Sequence, residues 1–166
     1  MKVLLINGSP RKEGNTYTAL TEISKQLSIH GIESTILWIG KKPVRGCIAC
    51  NKCKENGNGQ CVFSDDITNS VIESMSHCDG VIIGSPVYYG QPSGQLLCLQ
   101  QRMLYAGGAY FIGKASSCRC SLSSWRCFCS ISNITHAFPN DEHADCDFPI
   151  LESGLWKSRG RSRTRY

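Results

Sequence analysis

The sequence lacks any long hydrophobic run. No apolar stretch approaches the roughly 18 residues that a membrane-spanning helix needs. The apolar stretch near the N-terminus covers only residues 3–6 and ends at a Gly-Ser-Pro turn, which is too short for the core of a secretory signal peptide. Charged residues make up 19% of the chain, and the net charge is +5. We therefore expect a cytoplasmic protein with no membrane partner.

Aromatic residues are absent from the basic cluster at the C-terminus. The cluster consists of Lys157, Arg159, Arg161, Arg163 and Arg165. A basic arm of this kind is one way to contact nucleic acid. Neither interleaved aromatic residues nor a nucleic-acid-binding motif accompanies it, so we expect no nucleic-acid partner.

Cysteine, in contrast, is abundant, with 11 residues in the chain. A secreted disulfide scaffold would be shorter and would carry a signal peptide. In a reducing compartment, cysteines serve as metal ligands, redox groups or small buried hydrophobic residues. Four of the 11 are clustered and the others are scattered, so the two sets need separate explanations.

Short apolar runs alternate with stretches of helical periodicity through the first two-thirds of the chain. These patterns predict strands at residues 1–6, 34–39 and 80–84, and helices at residues 16–29, 67–75 and 95–105. Gly31 is expected to end the first helix, and Asp65 or Asp66 to cap the second. Strands that are apolar on both faces indicate a parallel sheet covered on both sides. Ligands of such sheets bind beyond the carboxyl ends of the strands.

The loop after the first strand, GSPRKEGNT at residues 8–16, leads directly into a helix. The amide groups and the positive dipole end of a helix N-terminus suit a phosphate. The loop lacks the Gly-Lys-Ser/Thr of a Walker A loop and the GxGxxG of a dinucleotide-binding turn. It is therefore a candidate phosphate site of another kind, the alternative being an ordinary capped turn.

The loop after the third strand, residues 84–94, contains the adjacent tyrosines Tyr88 and Tyr89 between glycines and prolines. A flat aromatic ligand can stack on such side chains while backbone groups read its polar edge. The alternative is that both tyrosines pack against the protein.

With these two motifs, GSPRKEGNT and GSPVYYGQPSGQL, residues 1–114 resemble the NADPH-dependent FMN reductases of the flavodoxin-like superfamily. The resemblance implies a three-layer α/β/α fold with a parallel sheet in the order 2-1-3-4-5. It also implies that a nicotinamide, NADH or NADPH, reduces FMN, which passes electrons to an acceptor that the sequence does not identify. No acid–base residue is assigned, because the flavin carries the chemistry. A homo-oligomer is compatible with this interpretation.

The cofactor-binding residues implied by the resemblance are Ser9, Arg11, Asn15 and Thr16 for the phosphate, and Pro86, Val87, Tyr88 and Tyr89 for the ring.

Cys47, Cys50, Cys53 and Cys61 form the pattern C-x2-C-x2-C-x7-C. This spacing suits a [4Fe–4S] cluster, and the motif resembles the compact cysteine motif of iron–sulfur flavoproteins. Zinc and free, reactive thiols remain alternatives. The corresponding second function is a non-catalytic metal-binding or thiol redox-sensing module. If the four cysteines hold a cluster, their sulfurs should converge even in a metal-free structure.

After residue 114 the resemblance stops. Shifting plausible codons for residues 117–121 by one base yields Ala-Val-Val-Val, a buried strand, and residues 140–151 in the same frame resemble the family's fifth strand. We therefore predict that the tail is a frameshifted translation. The expected organisation is a truncated flavodoxin-like domain at 1–115 and an irregular or disordered tail at 116–166. The sheet is expected to be incomplete, without its fourth and fifth strands.

Overall fold

The computed structural model describes residues 1–111 and 115–121. Its elements in chain order are β1 (Lys2–Asn7), α1 (Asn15–Ile29), β2 (Glu33–Trp38), α2 (Lys52–Asn56), α3 (Thr68–Ser76), β3 (Gly80–Tyr88), β4 (Gln91–Pro92), α4 (Gly94–Gly107) and β5 (Ala115–Ser121), with a 3₁₀ turn at Gly108–Phe111. The three predicted strands and three predicted helices are confirmed, with ends that differ by a few residues. The predictions lacked α2, β4, β5 and the 3₁₀ turn.

The strands β2, β1, β3 and β5 lie side by side in that order and run parallel. In this register Val3 lies opposite Gly80, and Gly80 lies opposite Ala115. The short strand β4 pairs antiparallel with the end of β3. This arrangement confirms the flavodoxin-like α/β class and the first four positions of the expected strand order.

Helices cover both faces of the sheet. Successive residues of β1 point to opposite sides, so the strand contacts the helices of both layers. On one side Leu4 and Ile6 pack with α3 and α4. On the other side Val3 and Leu5 pack against Leu20 of α1. The result is the three-layer architecture that the apolar strands predicted.

The predicted end of α1 is confirmed. Gly31 follows α1 with a positive φ of 71°, and the amide of Ile32 donates to the carbonyl of Leu27 at 2.9 Å, which is the hydrogen bond of a Schellman motif. At the start of α3 the N-cap residue is Ile67 rather than the predicted Asp65 or Asp66, and no side chain caps it; Asp66, one residue earlier, accepts a hydrogen bond from the amide of Thr68 at 3.0 Å.

The expectation that the fourth strand is missing is wrong. β5 pairs in parallel with β3 from Ala115, opposite Gly80, to Ser121, opposite Pro86. The segment shows no apolar alternation, which is why the sequence did not predict a strand there. A sheet ladder, however, is built from backbone hydrogen bonds that side-chain periodicity does not report.

The rest of the tail, residues 122–166, lies outside the described residues. The prediction of an irregular tail at 116–166 is wrong for residues 116–121, which belong to β5, and remains a prediction for 122–166. The absence of the family's last strand, the frameshift and the division of the chain at residue 115 also remain predictions. Across residues 1–111 and 115–121, no helix is long and apolar enough to span a membrane.

Candidate functional site

The loops that follow β1 and β3 are joined at the carboxyl end of the sheet. The amide of Gly8 donates to the carbonyl of Gly84 at 2.8 Å. The hydroxyl of Ser93 donates to the carbonyl of Gly8 at 2.7 Å, and the Ser93 amide donates to the Ser85 hydroxyl at 3.0 Å. The two loops named as candidates from the sequence therefore lie side by side at this edge of the sheet.

This close approach requires glycine at position 8. A Cβ atom there would lie 2.7 Å from Cδ2 of Leu96 and 3.0 Å from the carbonyl oxygen of Gly84. A side chain there would force the Leu96 side chain and the backbone of β3 to shift. Glycine at position 8 therefore lets the first loop contact both β3 and α4 closely.

Two residues that the sequence analysis did not assign to the site hold the first loop in place. The side chain of Asn7, at the end of β1, accepts a hydrogen bond from the amide of Ser9 at 3.0 Å and donates to the carbonyl of Lys12 at 3.1 Å. Nε1 of Trp38, at the end of β2, donates to the carbonyl of Ser9 at 2.7 Å. The available signal was an asparagine at the end of an otherwise apolar strand.

The N-terminus of α1 leaves its amides available to a ligand. Its N-cap residue, Gly14, is extended, and no side chain caps the helix. The first amides of a helix have no partner within it. Thr16, only 3% exposed, and the buried Ser9 lie at this end, while Arg11 and Asn15 are exposed. Free amides, two hydroxyls and one cation fit a phosphate group.

The tyrosine loop is a tight β-hairpin. Val87 pairs with Pro92 and Tyr88 with Gln91, and the two residues between them have positive φ angles, 49° at Tyr89 and 80° at Gly90. Two such residues are typical of a type I′ turn. Tyr89 is fully exposed and Tyr88 about half exposed, whereas Pro86 and Val87 are partly buried. Tyr89 therefore does not serve as packing within the described part of the chain.

A second site, the cysteine pocket, is lined by Cys47, Cys50, Cys53 and Cys61 together with residues of α4. All four are free thiols. Two residues beside Cys50 have the left-handed backbone conformation, Ala49 at φ 52° and Asn51 at φ 58°. Left-handed residues within a loop turn backbone amides toward one side, as in many phosphate and iron–sulfur sites.

The four cysteines share this pocket without forming a finished metal site. Within residues 1–111, no three His, Cys, Asp or Glu side chains are close enough together to hold one metal ion. The expected convergence of the sulfurs is therefore not met. The donor set still fits a cluster chemically, because four free thiols surround one space and the amide of Ala49 donates to the sulfur of Cys47 at 3.5 Å.

Cys61 is the most firmly held of the four. Its backbone amide and carbonyl both bond to the side-chain amide of Asn69, each at 2.8 Å. Its sulfur accepts a hydrogen bond from Nε of Arg102 at 3.3 Å. Arg102 is 1% exposed and forms an ion pair with the buried carboxylate of Asp66. From its sequence context Arg102 was expected to lie within a helix, and no functional role was expected for it.

Burial alone raises the pKa of Asp66, but hydrogen bonds from Thr68 and Arg102 outweigh that effect and hold the pKa below its usual value. The pKa of Arg102 is lowered by burial and raised more strongly by Cys61 and Asp66, so the guanidinium stays charged. The base of the cysteine pocket thus holds a buried ion pair, in which the Asp66 carboxylate balances the charge of the guanidinium.

A parallel sheet in this order, with a loop after its first strand that leads into an uncapped helix and a tyrosine hairpin after its third, is that of a flavodoxin-like domain. Residues 1–118 match the family model of the NADPH-dependent FMN reductases. The chain belongs to that family.

Several curated proteins are similar to this chain. It is 42% identical over 102 residues to an iron–sulfur flavoprotein of Methanocaldococcus jannaschii, a match that covers 61% of this chain and 51% of that protein. It is 35% identical over 105 residues to an iron–sulfur flavoprotein of Methanosarcina thermophila, covering 61% and 52%. The chain therefore spans about half the length of the curated relatives it matches.

Solved structures support the fold. FerB, a flavoenzyme NAD(P)H:(acceptor) oxidoreductase from Paracoccus denitrificans, superimposes with a TM-score of 0.58 at 16% identity, covering 86% of this chain and 77% of that one. A structure described as a putative quinone reductase from Klebsiella pneumoniae gives a TM-score of 0.55 at 14% identity, covering 75% and 60%. At these identities the likeness concerns the fold alone.

Proposed function

We propose that this chain is the FMN-binding part of an NAD(P)H-dependent oxidoreductase. One observation carries the proposal. The uncapped N-terminus of α1 and the exposed tyrosine hairpin lie at the same edge of the sheet, where the Gly8–Gly84 hydrogen bond connects their segments. Bound FMN would accept a hydride from NADH or NADPH and pass electrons to an acceptor. Membership of the FMN reductase family supports this proposal.

In this proposal each loop has a separate task. Ser9, Arg11, Asn15 and Thr16 hold the phosphate, since charge and hydrogen-bond donors gather at the start of α1. The ring lies against Pro86, Val87, Tyr88 and Tyr89. The hairpin fixes the backbone of these residues, because Val87 and Tyr88 are both paired with β4. A ring bound there would be oriented before the nicotinamide arrives.

The substitution Thr16→Val tests the phosphate site, because it removes one hydroxyl and keeps the shape of a buried side chain. A hydrogen bond to a charged group contributes about 1.5–3 kcal/mol. The variant should therefore bind FMN about 10- to 100-fold more weakly while unfolding like the wild type. Thr18→Val, an exposed position on the same helix, is the matched control and should bind FMN normally. Equal FMN affinities in the two variants would locate the phosphate elsewhere.

We further propose that Cys47, Cys50, Cys53 and Cys61 ligate a [4Fe–4S] cluster. Three observations support this: four free thiols in one pocket, two left-handed residues beside Cys50, and N–H···S hydrogen bonds to Cys47 and Cys61. The similarity to proteins named iron–sulfur flavoproteins also supports the proposal. Loading the pocket requires the cysteine sulfurs to move closer together, since no three of them are close enough to hold one metal ion in the described residues.

Iron and sulfide analysis of anaerobically purified protein tests the cluster. Cys50→Ser should remove both iron and the brown absorbance while FMN is retained, because Cys50 is exposed and lies outside the flavin loops. Cys98→Ser, outside the motif, should leave the iron content unchanged. Zinc in place of iron would indicate a structural metal site. Neither metal, with a change in thiol titration alone, would favour the redox-sensing alternative.

A further inference from the structure

Every nitrogen of the Arg102 side chain contacts the stretch of chain that carries the four cysteines, residues 45–66, which we call the cysteine segment. Nε donates to the sulfur of Cys61 at 3.3 Å, and Nη2 donates to the carbonyl of Phe63 at 2.8 Å. Nη1 contacts the carbonyl of Arg45 at 3.4 Å and the carboxylate of Asp66. These partners lie on both sides of the four cysteines, so one side chain of α4 anchors both ends of the segment.

Such an arrangement is costly as a purely structural device. A buried charge loses hydration, and replacing a buried ion pair with hydrophobic residues of similar size is often neutral or stabilising. The neighbours of Arg102 on the inner side of α4, Leu99 and Met103, are apolar. An apolar residue at position 102 would continue that surface, but it would leave the sulfur of Cys61 without a hydrogen-bond donor.

We propose that Arg102 is a positioning residue of the cysteine pocket, which fixes the Cys61 sulfur and raises the reduction potential of the cluster bound there. This inference rests on the proposed cluster. Reduction adds one electron to the cluster, and no bond or proton changes. Hydrogen bonds to the sulfurs stabilise the more negative, reduced form. Nε of Arg102 donates such a bond to Cys61, while the Asp66 carboxylate balances the charge of the guanidinium.

Two variants separate this role from simple packing. Arg102→Lys keeps the charge but removes the planar fork and its Nε–H. The double variant Arg102→Met with Asp66→Asn removes the donor and leaves no buried charge without a partner, so it should fold even if the lysine variant does not. Arg45→Gln is the control, because it removes an arginine side chain that bonds to exposed Asp65 and has no hydrogen bond to the Cys61 sulfur.

Each variant of the full chain is purified anaerobically, and three quantities are measured: iron per FMN, the thermal unfolding midpoint and the cluster midpoint potential from a spectroelectrochemical titration. Both Arg102 variants should shift the oxidised-to-reduced ratio at a fixed potential roughly tenfold toward the oxidised form. That change corresponds to a potential lower by about 59 mV for one electron. Arg45→Gln should shift the ratio much less.

The outcomes distinguish this inference from the proposed cluster itself. If both Arg102 variants retain iron and titrate at the wild-type potential, Arg102 only packs the segment and the inference is wrong, while the cluster stands. If both variants lose iron but keep wild-type FMN content, the positioning of Cys61 is supported. If the wild type holds no iron, the cluster and the inference fail together.

Discussion

Replacing Asn7 with aspartate changes a single group in the support of the first loop. Asn7 is fully buried, its Oδ1 accepts the Ser9 amide hydrogen, and its Nδ2 donates to the Lys12 carbonyl. In Asn7→Asp the first hydrogen bond survives, whereas the second becomes a contact between two acceptors. A buried group left without its partner costs about 1–3 kcal/mol, so the free energy of unfolding should fall by about that amount.

The same substitution should weaken FMN binding by a separate mechanism. It places a carboxylate beside the loop expected to hold a phosphate. At an effective dielectric constant of about 20, two unit charges repel by about 2 kcal/mol even at roughly 8 Å. FMN affinity should therefore drop about 30-fold or more. Urea unfolding of the FMN-free protein and flavin fluorescence titration measure the two effects independently.

Asn69→Asp is the matched control for this prediction. Asn69 also uses both ends of its amide to hold a loop, but its hydrogen bonds go to Cys61 and Phe63. It should lose similar stability and bind FMN like the wild type. The reasoning is refuted if Asn7→Asp keeps wild-type FMN affinity and unfolds within about 0.5 kcal/mol of the wild type.

Three further predictions concern other parts of the two sites. Tyr89→Gly should leave stability unchanged or raise it by up to about 1 kcal/mol, because φ is positive there, yet weaken FMN binding; unchanged FMN affinity in fluorescence titration would exclude stacking on this residue. In Gly84→Ala the new Cβ would lie 3.0 Å from Cγ2 of Thr16, so urea unfolding should show a loss of about 1–3 kcal/mol, and a stability equal to wild type would contradict the described packing. The folded-state pKa of Asp66 is lowered, so its contribution to stability is present above the unfolded-state pKa of about 3.9 and is lost as pH falls through the folded-state pKa. The free energy of unfolding of Asp66→Asn, measured across acidic pH, should therefore depend less steeply on pH than that of the wild type. An equal slope would contradict this assignment.

The elements predicted well from the sequence are those in which the type and order of side chains depend directly on the backbone conformation. In β1, residues 3–6 are all apolar, because the strand is covered on both faces, and the structure buries every one of them. Gly31 was recognisable as a helix end because its positive φ selects a residue without a side chain. The two candidate loops followed from the sheet, since parallel strands bring their carboxyl ends to one edge.

The missed features depend on contacts between distant residues. β5 joins the sheet through backbone hydrogen bonds to β3. The local pattern of side chains in β5 does not indicate this pairing. Arg102 appears polar within an apolar helix, and its role becomes visible only when Asp66 and Cys61 meet it across 36 and 41 positions of sequence. The spacing of the cysteines indicated a shared pocket, but it could not show that their sulfurs do not converge in the described residues.

These contacts give α4 a role that neither loop reveals alone. Its N-cap residue, Ser93, donates to Gly8, and Leu96 leaves no room for a side chain at that glycine. Six residues further along the same helix, Arg102 contacts the sulfur of Cys61. At 1.5 Å per residue, Leu96 and Arg102 are separated by roughly 9 Å along the axis. A helix resists compression and bending. A movement of α4 that changes the contact of Ser93 with Gly8 is therefore expected to change the contact of Arg102 with Cys61 as well. The flavin loops and the cysteine pocket therefore share one rigid element, which makes the measured FMN content of each Arg102 variant informative about the state of both sites.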